Sequence, residues 1–214
     1  MIISHSKKFI FVHIQKTAGT TITIYLDQYL SYKDLVIGST EFGEKIQPLY
    51  RKRFNLHKHS YAQNIKNITG DQTWNDYFTF SLVRNPWDRM VSLYNWCRKG
   101  KFDYPICQEA IQAANFSQFI RGECFKSQPQ QVEYLINQEN EMIVDFVGKQ
   151  ESIQEDFNYI CQKLKLPIID MTNFKHNVRK RTFDSYRKYY NSDEDIEIIK
   201  NQFSKDIDYF KYQF

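Results

Sequence analysis

Short apolar runs separated by polar stretches divide the chain into alternating strands and helices. The runs Lys8–Ile14 and Tyr77–Val83 are rich in aromatic and β-branched residues, which is typical of buried strands. A third run, Met142–Val147, predicts another strand. Between the runs, apolar residues recur at three- and four-residue intervals, the spacing of amphipathic helices. This alternation predicts an α/β fold with a mainly parallel sheet flanked by helices.

Local signals mark where several helices begin. Asn85 and Ser192 are typical N-caps, Pro86 fits the first position of a helix, and Ser152–Glu155 has the pattern of a capping box. We therefore expect helices over about Thr20–Leu30, Tyr61–Ile68, 86–97, Glu109–Ile120, Gln130–Gln138 and 153–164, and a last one from Ser192.

The composition places the chain among globular proteins. With 214 residues, 42% apolar and 25% charged, and without repeats or a flexible linker, it predicts one domain rather than a disordered chain. No apolar run reaches the roughly 18 residues that a membrane helix needs. The run that follows Lys8 is too short for a signal peptide, so we expect a cytoplasmic protein.

The four cysteines are spread along the chain, at positions 97, 107, 124 and 161. No two of them have CxxC spacing, and none lies at a metal-ligand interval from a histidine. We expect four reduced, mostly buried thiols, with neither a disulfide framework nor a zinc site.

The net charge of +4 is concentrated in one segment. Residues 171–190 contain six basic residues and one acid, Asp184. A localised basic loop indicates an anionic ligand, and its alternative is a solvated basic surface. Nucleic-acid binding would rest on this loop alone, so we do not expect it.

The residues between the first strand and its helix, Gln15–Thr21, are small or polar. Small residues at such a turn allow backbone N–H groups to curl around an anion, and the helix dipole adds to the attraction. Lys16 supplies a positive charge, and Thr17, Thr20 and Thr21 supply hydroxyl donors. The segment predicts a phosphate-binding loop; the alternative is a threonine-rich helix start with a structural role only.

This loop differs from the Walker A pattern GxxxxGK[ST], in which lysine follows the second glycine. Here Lys16 precedes the only glycine of the loop, Gly19. The sequence also has no convincing acidic strand end for magnesium. An ordinary ATPase or GTPase is therefore disfavoured, and a small ATP-dependent kinase stays as an alternative that magnesium dependence would test.

A second anion-binding pattern follows the strand Tyr77–Val83. Arg84 ends this strand, and Ser92 lies two turns into the next helix. An arginine beside a helix N-terminus can bind a phosphate with two parallel hydrogen bonds, and Ser92 can add a hydroxyl donor. The alternative is an ion pair between Arg84 and an acid, with Ser92 as an ordinary helical residue.

Together the two patterns resemble those of glycan sulfotransferases, in the group that contains heparan sulfate 2-O-sulfotransferase and small bacterial members. Lys8–Thr21 is similar to the 5′-phosphosulfate loop of that family, usually PKTAGT[ST], and Phe80–Tyr94 to its 3′-phosphate motif. The similarity continues through Val144–Gly148 and Asp206–Phe214 and is weak over 95–140. It implies a P-loop-NTPase-like sulfotransferase fold. Gln15 departs from the pattern, since the family usually has proline there.

The resemblance implies 3′-phosphoadenylyl sulfate (PAPS) as sulfuryl donor, adenosine 3′,5′-bisphosphate (PAP) as product, and no metal. Lys16 would neutralise charge on the bridging oxygen as its bond to sulfur breaks. Backbone amides and hydroxyls would hold the 5′-phosphate at Thr17, Ala18, Gly19, Thr20 and Thr21. Arg84 and Ser92 would hold the 3′-phosphate. The basic loop would close over the 3′-phosphate or the adenine, chiefly through Arg179, Lys180 and Arg181.

The acceptor hydroxyl needs a base that works near neutral pH, and histidine suits this role. Of the five histidines, His5 is terminal, His13 lies inside the first strand and His176 borders the basic loop. The remaining two are His57 and His59. A relative in the sulfotransferase family that the sequence resembles carries an HxH pair at the corresponding point of its chain, and these two residues match it. We expect His59 to be the base and His57 an acceptor contact; the alternative is a pair of exposed loop histidines.

The sequence thus predicts a metal-independent enzyme that moves a sulfuryl group from PAPS to a hydroxyl of a glycan or glycoconjugate. Residues 1–214 would form a single sulfotransferase domain, with 95–140 as a helical subregion on the acceptor side. A non-catalytic nucleotide-binding module is the alternative, supported only by Gln15. Turnover with a panel of acceptors would separate the two.

Overall fold

The computed structural model describes residues 1–100, 102–171 and 183–214. His176 and the three basic residues Arg179, Lys180 and Arg181 lie outside these ranges. The chain divides into two compact units. The first contains Met1–Val83 and the described part of Glu133–Asn177, and the second contains Arg84–Val132 and the described part of Val178–Phe214.

The first unit contains a five-stranded sheet. In chain order its strands are β1 (Ile2–Ser4), β2 (Phe9–Val12), β3 (Leu35–Val36), β4 (Phe78–Val83) and β5 (Phe146–Lys149). Their order in the sheet is β3-β1-β2-β4-β5. β2, β4 and β5 are parallel, whereas β1 pairs antiparallel with both β2 and β3. The predicted α/β fold with a mainly parallel centre is confirmed.

The helices of the described chain are α1 (Gly19–Asp27), α2 (Glu41–Phe54), α3 (Ala62–Thr69), α4 (Asp71–Asp76), α5 (Pro86–Lys99), α6 (Pro105–Gln112), α7 (Phe116–Phe119), α8 (Glu123–Lys126), α9 (Ile153–Leu164), α10 (Asp193–Gln202) and α11 (Ser204–Phe210). Helices α1–α4 and α9 belong to the first unit, and the others belong to the second. Among these described elements, no helix has both the length and the apolar character needed to cross a membrane.

The core of the first unit lies between the sheet and the apolar faces of α1 and α9. Phe11 and Phe80 stack on neighbouring strands with ring centroids 5.2 Å apart, and Tyr25 of α1 meets Phe157 of α9 edge-on. The parallel register pairs Val12 with Ser81. The carboxyl ends of β2 and β4 therefore lie at the same edge of the sheet, where ligands of α/β folds bind.

Three features of the first unit differ from the predictions. β1 and β3 were not predicted, because each is only two or three residues long. β5 begins four residues later than expected, since the backbone N–H and hydroxyl of Thr79 bind the Asp145 carboxylate before the ladder starts. Helix α2 was missed although Phe42, Ile46 and Leu49 recur at helical spacing, since Pro48 lies inside the segment and breaks its helical signal.

The predicted helices of the second unit are partly wrong. The expected helix Glu109–Ile120 is divided into α6 and α7, because the Asn115 side chain accepts from the Gln118 N–H and starts a new helix. The expected helix Gln130–Gln138 yields only a 3₁₀ turn at Val132–Tyr134. The N–H groups of Gln131 and Val132 donate to Asp206 instead, both at 2.8 Å.

Two of the capping predictions are confirmed and one is wrong. Asn85 caps α5 by accepting from the Trp87 N–H, with Pro86 in the first turn, and Ser192 caps α10 by accepting from the Asp195 N–H. The capping box at Ser152 is wrong. Its hydroxyl donates to the carboxylate of Asp156, at 2.7 Å, and makes no cap hydrogen bond.

Candidate active site

The turn between β2 and α1 has an unusual backbone. Lys16 and Ala18 have φ values of 67° and 66°, in the left-handed region, whereas Thr17 between them does not. This region costs a residue with a side chain about 1–2 kcal/mol. Alternating left- and right-handed residues form concave turns whose successive N–H groups bind anions. Strained backbone of this kind often clusters at binding sites, and here it coincides with the loop that the sequence predicts to bind phosphate.

Helix α1 starts without a side-chain cap. Its N-cap residue is Ala18, which has no side-chain oxygen, and its first turn contains no acid. The N–H groups of Thr21 and Ile22 both reach the Ala18 carbonyl oxygen, at 3.0 and 3.4 Å. The partial positive charge of the helix N-terminus is therefore not balanced by an acidic residue of its first turn, which favours an anionic ligand there.

The threonines of the loop have different roles. Thr17 is fully buried, and its hydroxyl donates to the Ile14 carbonyl at 2.9 Å. Its proton is thus committed to the backbone, and Thr17 can offer an anion its N–H rather than its hydroxyl. Thr21 is buried and Thr20 is half-buried. In the sequence the three threonine hydroxyls are equivalent candidate donors, whereas in the structure they differ in burial and in hydrogen bonding.

Gly19 is where the loop meets His13. A Cβ at Gly19 would lie 2.2 Å from Cδ2 and 2.3 Å from Nε2 of the His13 ring. Such distances are far shorter than any van der Waals contact. The first residue of α1 is therefore glycine because the His13 side chain occupies the space of a side chain.

His59 is held by the same residue. Its Nδ1 lies 2.7 Å from the His13 carbonyl oxygen. Because a carbonyl oxygen only accepts, Nδ1 must donate, and the lone pair of neutral His59 is on Nε2. Burial lowers the pKa of His59 to about 3, so the ring is neutral near pH 7. The neutral ring can accept a proton at Nε2, and its lowered pKa makes it a weaker base than an exposed histidine.

His57 has the opposite hydrogen-bonding character. The backbone N–H of His59 donates to its Nδ1 at 3.2 Å, so neutral His57 carries its proton on Nε2. Burial lowers the pKa of His57 as well. Ser60 closes this short turn, since its hydroxyl donates to the His57 carbonyl at 2.9 Å and accepts from the His57 N–H at 2.8 Å. The two histidines thus present one acceptor and one donor.

In the second unit, Arg84 forms an ion pair with Asp88. Its Nε and Nη2 donate to the same carboxylate oxygen at 2.8 and 2.6 Å, and the side chains are 9% and 13% exposed. This is the pairing that the sequence left open as an alternative to phosphate binding. Ser92 follows Asp88 by four residues, on the same face of α5, and is half-buried.

A buried network that the sequence did not indicate holds the backbone of Arg84. The Gln131 side chain accepts from the Arg84 N–H and donates to its carbonyl, both at 2.8 Å. Asp206, which is fully buried, accepts in turn from the Gln131 side chain at 3.2 Å. Burial raises the pKa of Asp206, and Arg89 opposes that shift. A glutamine with no apolar periodicity around it gives no signal of this role.

The predicted site residues are therefore described in two groups. The first unit contains the loop and both histidines, and His13 contacts Gly19 as well as His59. The second unit contains Arg84 and Ser92 on or next to α5. Over the described ranges, no group of three or more His, Cys, Asp or Glu side chains is arranged to hold a metal ion.

Comparison with known proteins identifies the class. The family model described as "Sulfotransferase family" matches residues 1–213, and the chain belongs to this family. Membership makes the protein a transferase of sulfuryl groups. A protein of Archaeoglobus fulgidus, which carries the name "Uncharacterized protein", is 26% identical over 130 residues, covering 59% of this chain and 97% of that protein. No solved structure matches the chain.

Proposed function

We propose that the protein transfers the sulfuryl group of PAPS to a hydroxyl of a glycan or glycoconjugate. One observation carries this proposal: neutral His59, with its Nε2 as acceptor, is bound to His13, whose ring contacts the first residue of α1. A candidate base and a candidate anion-binding turn are therefore joined through a single residue. The base would take the proton of the acceptor hydroxyl, and the turn would bind the phosphosulfate of the donor.

The turn between β2 and α1 fits the 5′-phosphosulfate. The left-handed backbone at Lys16 and Ala18 and the N-terminus of α1 supply donors for its oxygens without a metal ion. We assign backbone N–H contacts to Thr17, Ala18, Gly19 and Thr20, and a hydroxyl contact to Thr21, whose N–H donates to the Ala18 carbonyl. The Lys16 charge would act on the bridging oxygen, where negative charge grows as the bond to sulfur breaks.

The 3′-phosphate is assigned to Arg84 and Ser92. Nε and Nη2 of Arg84 donate to Asp88, so the phosphate assignment is supported by the resemblance to the family rather than by this ion pair. Recognition of this phosphate would distinguish the donor from AMP and ATP. Arg179, Lys180 and Arg181 stay assigned to the 3′-phosphate or the adenine by resemblance to the family.

The reaction would be an in-line displacement at sulfur. The acceptor oxygen forms a bond to sulfur while the bridging oxygen of PAPS leaves, and His59 Nε2 takes the hydroxyl proton. The His13 carbonyl, already bound to Nδ1, stabilises the imidazolium that forms. His57, which donates through Nε2, would contact the acceptor.

We further propose that the whole chain works as one sulfotransferase domain in the cytoplasm. Residues 95–140, which contain α6, α7 and α8, would contribute to the acceptor side. The helical content of this segment and its weak similarity to the family support a role in recognising a particular acceptor.

The test is transfer of labelled sulfate from PAPS to a panel of hydroxyl acceptors in the presence of EDTA, together with calorimetry of PAP and AMP. We expect acceptor-dependent release of PAP and much tighter binding of PAP than of AMP. Equal binding of both nucleotides would contradict the donor assignment. PAP binding without turnover on any acceptor would favour the non-catalytic module, and magnesium-dependent use of ATP would favour a kinase.

A further inference from the structure

We propose that His13 is a positioning residue for the transfer reaction, acting through His59. The inference rests on the proposed function of His59 as the base. It extends that function to a residue that does not touch the reacting atoms, and it has three physical parts: the carbonyl, the ring and the buried nitrogen of His13.

The His13 carbonyl fixes the proton of His59. At 2.7 Å it accepts the Nδ1–H, so the lone pair stays on Nε2. This carbonyl follows directly after β2, which pairs with β1 and β4 on its two sides. The orientation of the base is therefore anchored to a central strand of the sheet rather than to a loop.

The His13 ring separates the base from the anion-binding turn. It meets the His59 ring edge-on, with centroids 4.8 Å apart, and it stacks on Phe11 at 5.5 Å. It also fills the space beside Gly19 where a Cβ would stand. A change in the size of this ring would move His59 and the first turn of α1 relative to each other.

The His13 ring is buried like a core side chain, but it carries a polar nitrogen that an apolar core residue lacks. His13 is 2% exposed, and its Nδ1 is buried with no hydrogen-bond partner among the residues that the structure describes. Leaving a buried polar atom unpaired is destabilising, and Phe9 and Phe11 on the same strand avoid that cost. A six-membered ring, however, would need more room beside Gly19. The five-membered ring fits the position at the expense of stability, which points to function.

The test is a double-mutant cycle on kcat with three variants: His13→Ala, His59→Ala and the double variant. His13→Ala keeps the backbone carbonyl and removes only the ring. If the ring positions His59, His13→Ala lowers kcat at least tenfold, and the double variant is no slower than His59→Ala. We expect PAP affinity of His13→Ala to change less than threefold. Losses that multiply in the double variant, or an unchanged kcat in His13→Ala, would overturn the proposal. His5→Ala, at an exposed histidine bound to Tyr77, is the matched control.

A measurement on the unsubstituted protein keeps the inference separate from the proposed function. Nitrogen-15 NMR of the imidazoles reports which ring nitrogen carries the proton, without substrate or turnover. We expect the Nδ1–H form for His59, and an Nε2–H form would refute the positioning step. If His59 has the expected form but no acceptor is sulfated, the proposed function is wrong, whereas the hydrogen bond from His59 Nδ1 to the His13 carbonyl is confirmed.

A different observation, at Cys97 and Cys107, carries a second inference. These cysteines lie on α5 and α6, both fully buried, with their Sγ atoms 2.9 Å apart. Their ten-residue separation gave no indication of a pair. We infer that this pair is an oxidation site at which a disulfide oxidant such as oxidised glutathione links α5 to α6. The two thiols lose two hydrogens as the S–S bond forms, and the oxidant is reduced to two molecules of glutathione.

The test is oxidation with glutathione disulfide until Cys124, which is half-buried, carries glutathione, followed by mass spectrometry of peptides. We expect a peptide pair linked through Cys97 and Cys107 in the unsubstituted protein and in Cys161→Ser. The Cys107→Ser variant should lack it. Unlinked Cys97 and Cys107 in protein whose Cys124 has reacted would overturn the inference.

Discussion

Two strand-to-helix turns carry most of the candidate chemistry, and they are built in opposite ways. After β2, the backbone turns left-handed at Lys16 and Ala18, and α1 begins without a side-chain cap. After β4, the Asn85 side chain caps α5, and Arg84 is tied to Asp88. The first turn offers backbone N–H groups and accepts strain, whereas the second satisfies its own helix with side chains.

This difference leads us to expect different ligand groups at the two turns. At the turn between β2 and α1, backbone N–H donors are held in fixed positions. We therefore expect this turn to bind the oxyanion on which the reaction develops charge. At the second turn, Gln131 holds the Arg84 backbone and Asp88 holds its side chain, so we expect this turn to bind a group that does not react. We therefore expect substitutions near the first turn to affect kcat, and those at the second turn to affect nucleotide affinity.

The strongest test of the comparison is His59→Ala. Loss of a general base typically lowers the rate by about 10² to 10⁴. We expect a fall of that size in kcat with PAP affinity unchanged, measured by turnover and calorimetry. His57→Ala should lose less, because His57 presents a donor rather than an acceptor. If His57→Ala is the inactive variant, the two roles are reversed.

Lys16→Ala should lower kcat by about 10² to 10³, the effect of removing a group that stabilises developing charge. PAP affinity should fall less, since the lysine acts mainly on the transition state. The matched control is Lys45→Ala, an exposed lysine paired with Glu41. Normal turnover with lost PAP binding would make Lys16 an affinity anchor and would erase the contrast between the turns.

Arg84→Ala should weaken PAP binding at least about tenfold, because a charge-assisted contact contributes roughly 1.5–3 kcal/mol. AMP, which lacks the 3′-phosphate, should bind the variant and the unsubstituted protein equally. Lys126→Ala, at an exposed residue paired with Glu123, is the control in the same unit. An equal loss for AMP and PAP would show that Arg84 serves only its ion pair with Asp88.

Acid should destabilise the protein through the histidines at the first turn. The folded-state pKa values of His13 and His59 are lowered by burial, so the unfolded chain binds protons that the folded chain does not. The free energy of unfolding is then highest above about pH 6.5 and falls as pH decreases, by about 1.4 kcal/mol per pH unit for each such histidine. Urea unfolding at pH 7 and 5.5 should show a shallower fall for His59→Gln. An unchanged slope would mean that His59 is not buried neutral.

The smallest expected effects concern the two helix starts themselves. Asn85→Ala removes a side-chain cap and should destabilise the protein by about 1 kcal/mol. Ala18→Gly relieves left-handed strain and should stabilise it by about 0.5–1 kcal/mol. Urea unfolding of both variants measures the difference. Destabilisation by Ala18→Gly would contradict a strained first turn.

Patterns of short range were the ones that could be predicted. The apolar runs located β2 and β4 because a buried strand needs a continuous apolar stretch, and Asn85–Pro86 located the start of α5 because a cap acts within one turn. β1 and β3 escaped because two or three residues are too few to show a strand pattern, and α2 escaped because it contains Pro48. Ser152 misled because its hydroxyl found Asp156 instead of the helix N-terminus.

The sequence by itself determined the succession of β2, α1, β4 and α5, the family, and the residue types at the candidate site, since these depend on residues close together in the chain. The tertiary structure decided which ring nitrogen of His59 accepts, because the carbonyl that fixes it is 46 residues away in the sequence. It also revealed the Arg84 support from Gln131 and Asp206. Such choices are made by hydrogen-bond partners that only folding brings within 3 Å, and no local pattern records them.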